Sequence, residues 1–152
     1  MADDTNKSGP PFDVVSLFPE TETDDDHDVN PDTHYDLGVA YREMGLLDDA
    51  ITEFQTALES PQYAILGRMM VGLCQVAQGN YLGAAQSFRT ALSVDYVTKP
   101  VRVALHYELG ETYYLMGDYR AALVYFRKVQ SEYSGFRNVE DRILFLRKRL
   151  KR

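Results

Sequence analysis

One motif is written three times in this chain, and the offsets between its residues barely change. Leu37-Gly38, Tyr41, Gly45, Ala50, Phe54 and Ala57 make the first copy. Val71-Gly72, Gln75, Gly79, Ala84, Phe88 and Ala91 make the second, and Leu109-Gly110, Tyr113, Gly117, Ala122, Phe126 and Val129 the third. A fixed period of this length means one supersecondary unit stacked on itself, since each unit alone leaves an apolar face bare. Gly45, Gly79 and Gly117 fall where a first helix must stop, the position that favours a left-handed residue. Short links then make the two helices of each unit antiparallel neighbours. Gly38, Gly72 and Gly110 on the first helices, facing Ala50, Ala84 and Ala122 on the second, let the backbones approach closely. Phe54, Phe88 and Phe126 are expected to fill the wedge between one hairpin and the next.

The apolar spacing predicts helices over 31–44, 48–59, 61–78, 81–93, 100–116, 119–133 and 138–151. Several starts carry capping chemistry: Asn30 before Pro31 and Asp32, Ser60 before Pro61, Asn80, Asp118, and Asn138 followed by Glu140 and Asp141. Gly38 and Gly72 are 34 residues apart, whereas Gly72 and Gly110 are 38 apart. The four extra residues fall around 96–99, either as a longer fourth helix or as a bulged loop. In the last helix Val139, Ile143, Leu146 and Leu150 recur on one face, as a closing cap requires, with basic residues on the other.

Charge divides the chain. Residues 1–30 hold nine acids (Asp3, Asp4, Asp13, Glu20, Glu22, Asp24, Asp25, Asp26 and Asp28) against Lys7, whereas 137–152 hold seven basic residues against Glu140 and Asp141. With Pro10-Pro11, Pro19 and no helical apolar period, 1–30 reads as a disordered acidic arm. Inside it Phe12, Val15, Leu17 and Phe18 form a short apolar run between prolines. This is either a stray hydrophobic patch or a linear motif that docks on a partner or on the protein's own groove. The basic end complements the partial negative charge of a helix C-terminus and offers too little positive surface for nucleic acid. No apolar run is long enough to insert in a membrane, and Met1-Ala2-Asp3-Asp4 does not open a secretory signal. The single cysteine, Cys74, sits among apolar residues as a packed core side chain. The cytoplasm is the expected compartment.

With the repeated residues in view, the chain resembles a tetratricopeptide repeat (TPR) protein. The resemblance implies an all-α, right-handed α-solenoid of three helical hairpins with a capping helix and a disordered acidic N-terminal arm. The expected division is the arm at 1–30, repeats over 31–61, 62–99 and 100–136, and the capping helix with its basic end at 137–152. Departures from the family pattern include His34, Arg68 and His106 in place of an early aromatic residue, Gln75 for Tyr and Val129 for Ala. In this family the first helix of each repeat lines the concave surface. That implies a partner-binding groove built from Tyr35, Val39, Arg42, Met69, Met70, Leu73, Val76, Tyr107, Glu108, Glu111 and Tyr114. TPR co-chaperones that grip a C-terminal carboxylate use Lys, Asn, Asn, Lys and Arg at five positions, occupied here by Tyr35, Val39, Met70, Ala104 and Glu108. No donor survives and Glu108 would repel an anion, so binding of an Asp-terminated chaperone tail is not expected. The remaining floor is apolar with acidic sides, which suits an extended or helical peptide with apolar anchors and flanking basic residues.

Catalysis finds no support. His27 lies in the arm, while His34 and His106 hold equivalent repeat positions, which indicates a structural role. No nucleophile–base arrangement, metal-ligand spacing or phosphate-cradling loop is present, and no cofactor is expected. The expected function is a non-catalytic adaptor or scaffold binding a segment of another protein. The run Asp32–Gly38 with Arg42–Gly45 resembles bacterial TPR scaffolds of pilus, motility or secretion assemblies. The alternative is a three-repeat secretion chaperone holding a hydrophobic translocator client, and self-binding by Phe12–Phe18 is a further expectation.

Overall fold

A computed structural model describes residues 30–151 of the 152-residue chain. The expected acidic arm and its run Phe12, Val15, Leu17 and Phe18 lie outside the described residues. Among the described residues seven α-helices follow one another: α1 (Pro31–Glu43), α2 (Leu47–Ala57), α3 (Leu66–Ala77), α4 (Tyr81–Leu92), α5 (Lys99–Met116), α6 (Tyr119–Glu132) and α7 (Val139–Leu150). Each packs chiefly against the next in sequence, so the described residues form an all-α zigzag of hairpins, as the sequence implies.

The local punctuation follows the chemistry of the caps. Asn30, Asn80 and Asp118 accept hydrogen bonds from the backbone N–H of Asp32, Gly83 and Ala121, closing open donors in the first turns. Gly45, Gly79 and Gly117 adopt φ of 78°, 79° and 80°, which reverses the chain after each first helix. Two expected caps differ. Ser60 makes no side-chain cap. Asn138 makes none either, because its Oδ1 accepts the Tyr107 hydroxyl at 2.5 Å instead.

The helix predicted over 61–78 divides into a 3₁₀ turn at Pro61–Tyr63 and α3 proper. Tertiary contacts hold that turn: the Tyr63 ring stacks on Tyr35 at 4.9 Å, and its hydroxyl donates to Asp32. The four extra residues resolve as a loop. α4 stops at Leu92 and helix resumes at Lys99, so they lie in the link 93–98, pinned where the Tyr96 hydroxyl donates to the Pro61 carbonyl at 2.9 Å.

Phe54, Phe88 and Phe126 are fully buried, and each ring lies on the glycine of its own hairpin. A Cβ built on Gly38, Gly72 or Gly110 would sit 2.7, 2.5 or 2.7 Å from the Cε1 of Phe54, Phe88 or Phe126. The glycine is therefore a seat for a phenyl ring inside the hairpin. The expected wedge between hairpins is the outer side of the same cluster. Phe54 groups with Val71 and Cys74 of α3, Phe88 with Leu105 and Leu109 of α5, and Phe126 with Val139, Ile143 and Leu146 of α7. Cys74 is fully buried, and burial pushes its thiol pKa up, away from the reactive thiolate.

α7 repeats the register of a first helix. Val139, Ile143 and Leu146 bury with the spacing of Gly67, Val71 and Cys74 in α3, and the residue after Ile143 occupies the place of the seat glycine. That residue is Leu144, 54% exposed. Leu150, expected on the buried face, is 37% exposed at the helix end.

Candidate protein-interaction groove

The register carries one face across α1, α3, α5 and α7. The position after the glycine gives a row of Val39, Leu73, Glu111 and Phe145. Three residues further on, the row is Arg42, Val76, Tyr114 and Lys148, and beside it Glu43, Ala77, Leu115 and Arg149.

The groove residues expected from sequence fall into two kinds. Tyr35, Met69 and Tyr107 hold one repeat position, and Tyr35 and Tyr107 meet aromatic side chains of the segment that precedes the next helix. Tyr35 stacks on Tyr63 and meets Phe54 with centroids 5.5 Å apart. Met69 packs in the cluster that contains Val101. Tyr107 is 6% exposed, between Phe126 and Phe136 at 5.5 Å each. Burial raises the Tyr107 phenol pKa, with the Glu111 carboxylate adding to the effect, so the hydroxyl stays a donor to Asn138. Met70 and Val39 pack against the first core cluster, and Leu73 and Val76 against the second, all partly open. Arg42 is exposed.

Electrostatics change across α5. Glu108 pairs with Arg137 at 3.0 Å, and Glu111 with Arg142 at 2.8 Å, so both carboxylates are met by cations from the α7 side. Arg142 also lies over the Tyr114 ring at 4.7 Å and Arg137 over Tyr107 at 4.6 Å. From α3 across α5, the floor is therefore apolar and electrically neutralised. The exposed apolar side chains are Leu66 (41%), Leu115 (48%) and Phe145 (48%), the last packed edge-on against Tyr114 at 6.1 Å.

Phe145, Arg137 and Arg142 were not among the groove residues expected from sequence. The signal was present: Val139, Ile143 and Leu146 have the spacing of a first helix, which aligns Phe145 with Val39 and Leu73. Reading α7 only as a cap hid that alignment.

The two histidines in the repeats differ in setting. His34 Nδ1 lies 2.5 Å from Glu53 of α2. The equivalent partner of His106 is Tyr125, with ring centroids 6.0 Å apart, and His106 Nδ1 is buried without a hydrogen-bond partner. Burial, reinforced by Lys128 and Arg102 and opposed by Glu132, holds the His106 imidazole pKa below its ordinary value. An unfolded histidine titrates near pH ~6.5. Just below that, the unfolded chain takes up a proton that the folded chain refuses, so stability falls as pH drops. Urea midpoints of the wild type should therefore be lower at pH 5.5 than at pH 7.5, and His106→Phe should flatten that slope. An unchanged slope in the variant would show that other groups carry it.

Among the described residues no group of three or more His, Cys, Asp or Glu side chains is placed to hold a metal ion, and no helix is long and apolar enough to cross a membrane. Family models described as tetratricopeptide repeat match residues 31–62 and 72–135, together more than half of the chain. The chain belongs to the tetratricopeptide repeat family. No curated protein matches it. Solved structures similar to this TPR array include MamA, with TM-score 0.68 and 22% identity over 78% of this chain and 67% of that one. The Sgt2 TPR domain from Aspergillus fumigatus has TM-score 0.67 and 18% identity over 80% and 79%. The Yersinia enterocolitica type III secretion chaperone SycD, in complex with a peptide of the translocator YopD, has TM-score 0.67 and 17% identity over 78% and 92%. At these identities the similarity establishes the fold of the TPR array.

Proposed function

We propose that this TPR array is a non-catalytic interaction module of the cytoplasm whose first-helix face holds a segment of another protein. The observation that carries the reading is the neutralised apolar floor. α3 presents Leu66, Met70, Leu73, Val76 and Ala77 with no charge among them, and the two glutamates of α5 are paired with arginines. Such a floor gains from burying apolar side chains and offers nothing to a free carboxylate. Solved TPR structures of this shape include SycD with its YopD peptide, which supports a segment-binding role. The similarity to SycD also favours a second reading, a secretion chaperone whose client is a hydrophobic protein. A place in a pilus, motility or secretion assembly is the adaptor form of the same proposal.

The structure selects the variants for a test. Met69 and Leu73 pack into a core cluster, so charging them would confound binding with folding. Leu66→Glu and Phe145→Ser change exposed side chains and should leave the helical circular dichroism unchanged. Each is expected to weaken a captured and identified partner about tenfold or more, as loss of an apolar anchor does. Undiminished affinity in the double variant would remove this face as the binding site.

A further inference from the structure

The array is electrically polar along its length. Asp32, Asp36, Glu43, Asp48, Asp49, Glu53 and Glu59 stand against Arg42 in the first hairpin and the residues after it. At the other end α7 carries Arg147, Lys148 and Arg149 in its last turn, all exposed. Between them lies the apolar floor, which ends at the exposed Phe145 beside Lys148 and Arg149. A segment matching this face needs apolar residues followed, at the α7 end, by acids.

The chain contains such a segment outside the described residues. Phe12, Val14, Val15, Leu17 and Phe18 are followed by Glu20, Glu22, Asp24, Asp25, Asp26 and Asp28. Its polarity decides between the two ways it could bind. Within one molecule the acids lie nearest α1, where Asp32, Asp36 and Glu43 repel them, and only the apolar run extends toward α7. In a second molecule the order is reversed: the apolar run lies over α3 and α5, and the acids meet Lys148 and Arg149. The twelve residues from Phe18 to Asn30 span at most about 40 Å, so the donor's acidic first hairpin comes to rest near the acceptor's basic α7. Both complementarities are then satisfied together.

We propose that residues 12–28 of one copy occupy the first-helix face of the next, joining copies head to tail. The inference rests on the groove reading above and names a second copy of this chain as one of its occupants. Each copy gives one segment and receives another through different surfaces, so the association is open-ended unless it closes into a ring. The arm then also competes with any other apolar segment for the same face.

Full-length protein in analytical ultracentrifugation tests this. The wild type should show mass rising in steps with concentration, and 0.5 M NaCl should shift it toward the monomer. An arm variant (Phe12→Ser, Leu17→Ser, Phe18→Ser) and a face variant (Leu66→Glu, Phe145→Ser) should each be monomeric. Mixed in equal amounts they should form a dimer and nothing larger, because one retains a working face and the other a working arm. A monomeric wild type, steps that survive in the arm variant, or variants that fail to complement would overturn the proposal. If the wild type is monomeric while the face variant still loses an identified partner, the groove reading stands without self-association. If the face variant neither changes mass nor loses a partner, both fall.

Discussion

Phe88→Ala should cost this protein about 3–5 kcal/mol, the range for deleting a fully buried aromatic side chain. Phe88 is 0% exposed, and its ring covers Gly72 at the centre of the middle cluster, with Leu105 and Leu109 closing it from α5. Domain stabilities are of the order of 5–15 kcal/mol, so the variant loses a large part of the total. The seat makes a sharper prediction than the loss itself. Gly72→Ala places a Cβ 2.5 Å from Phe88 Cε1, and overpacking of this kind costs about 1–3 kcal/mol. In the Phe88→Ala background the ring is gone, and alanine is the better helix former by about 1 kcal/mol. The same Gly72→Ala change should then stabilise. Urea denaturation of the four proteins in the cycle reads the sign directly, and equal costs in both backgrounds would dismiss the seat.

Leu146→Ala is the second large effect, at about 2–5 kcal/mol. Leu146 is fully buried and, with Val139 and Ile143, it covers Phe126, Val129 and Ala122 of α6. Leu150→Ala on the same helix should stay within about 0.5 kcal/mol because its side chain is 37% exposed. The two variants separate the packing of α7 from its mere presence. Stacked repeats pass stability between neighbours, so the damage should be graded along the chain. Amide exchange in Leu146→Ala should accelerate most in α6 and α7 and least in α1 and α2. Uniform acceleration across all seven helices would instead mark the array as a single cooperative block.

The fold was legible because its determinants repeat. Three glycines with left-handed φ and three phenylalanines on three seats share offsets, and three of the four asparagine or aspartate caps form. Asn138 is the exception, since a tertiary partner, Tyr107, took its side chain. The order of first and second helices was legible too. Which residues of the first-helix face remain open was not. Tyr35 and Tyr107 are covered by Tyr63 and Phe136, aromatic residues in connecting segments whose conformation is set by those contacts. Likewise the acidic sides expected of the groove, with Glu108 and Glu111 among its residues, ignored Arg137 and Arg142, about thirty residues away in sequence and 3.0 and 2.8 Å away in space. Charge that looks free on one helix is spent on the next when helices stack.

Leu144 adds a rule of succession to the stack. Wherever a hairpin is completed, the first helix offers a hollow the size of a phenyl ring, and its second helix arrives with the ring. On α7 that hollow is filled in advance by a branched side chain. A helix carrying another phenylalanine at the usual offset would find its place taken. Leu144→Gly is thus the single edit that would turn this lid into a socket, and grafting one second helix with its phenylalanine after α7 should succeed only in its presence.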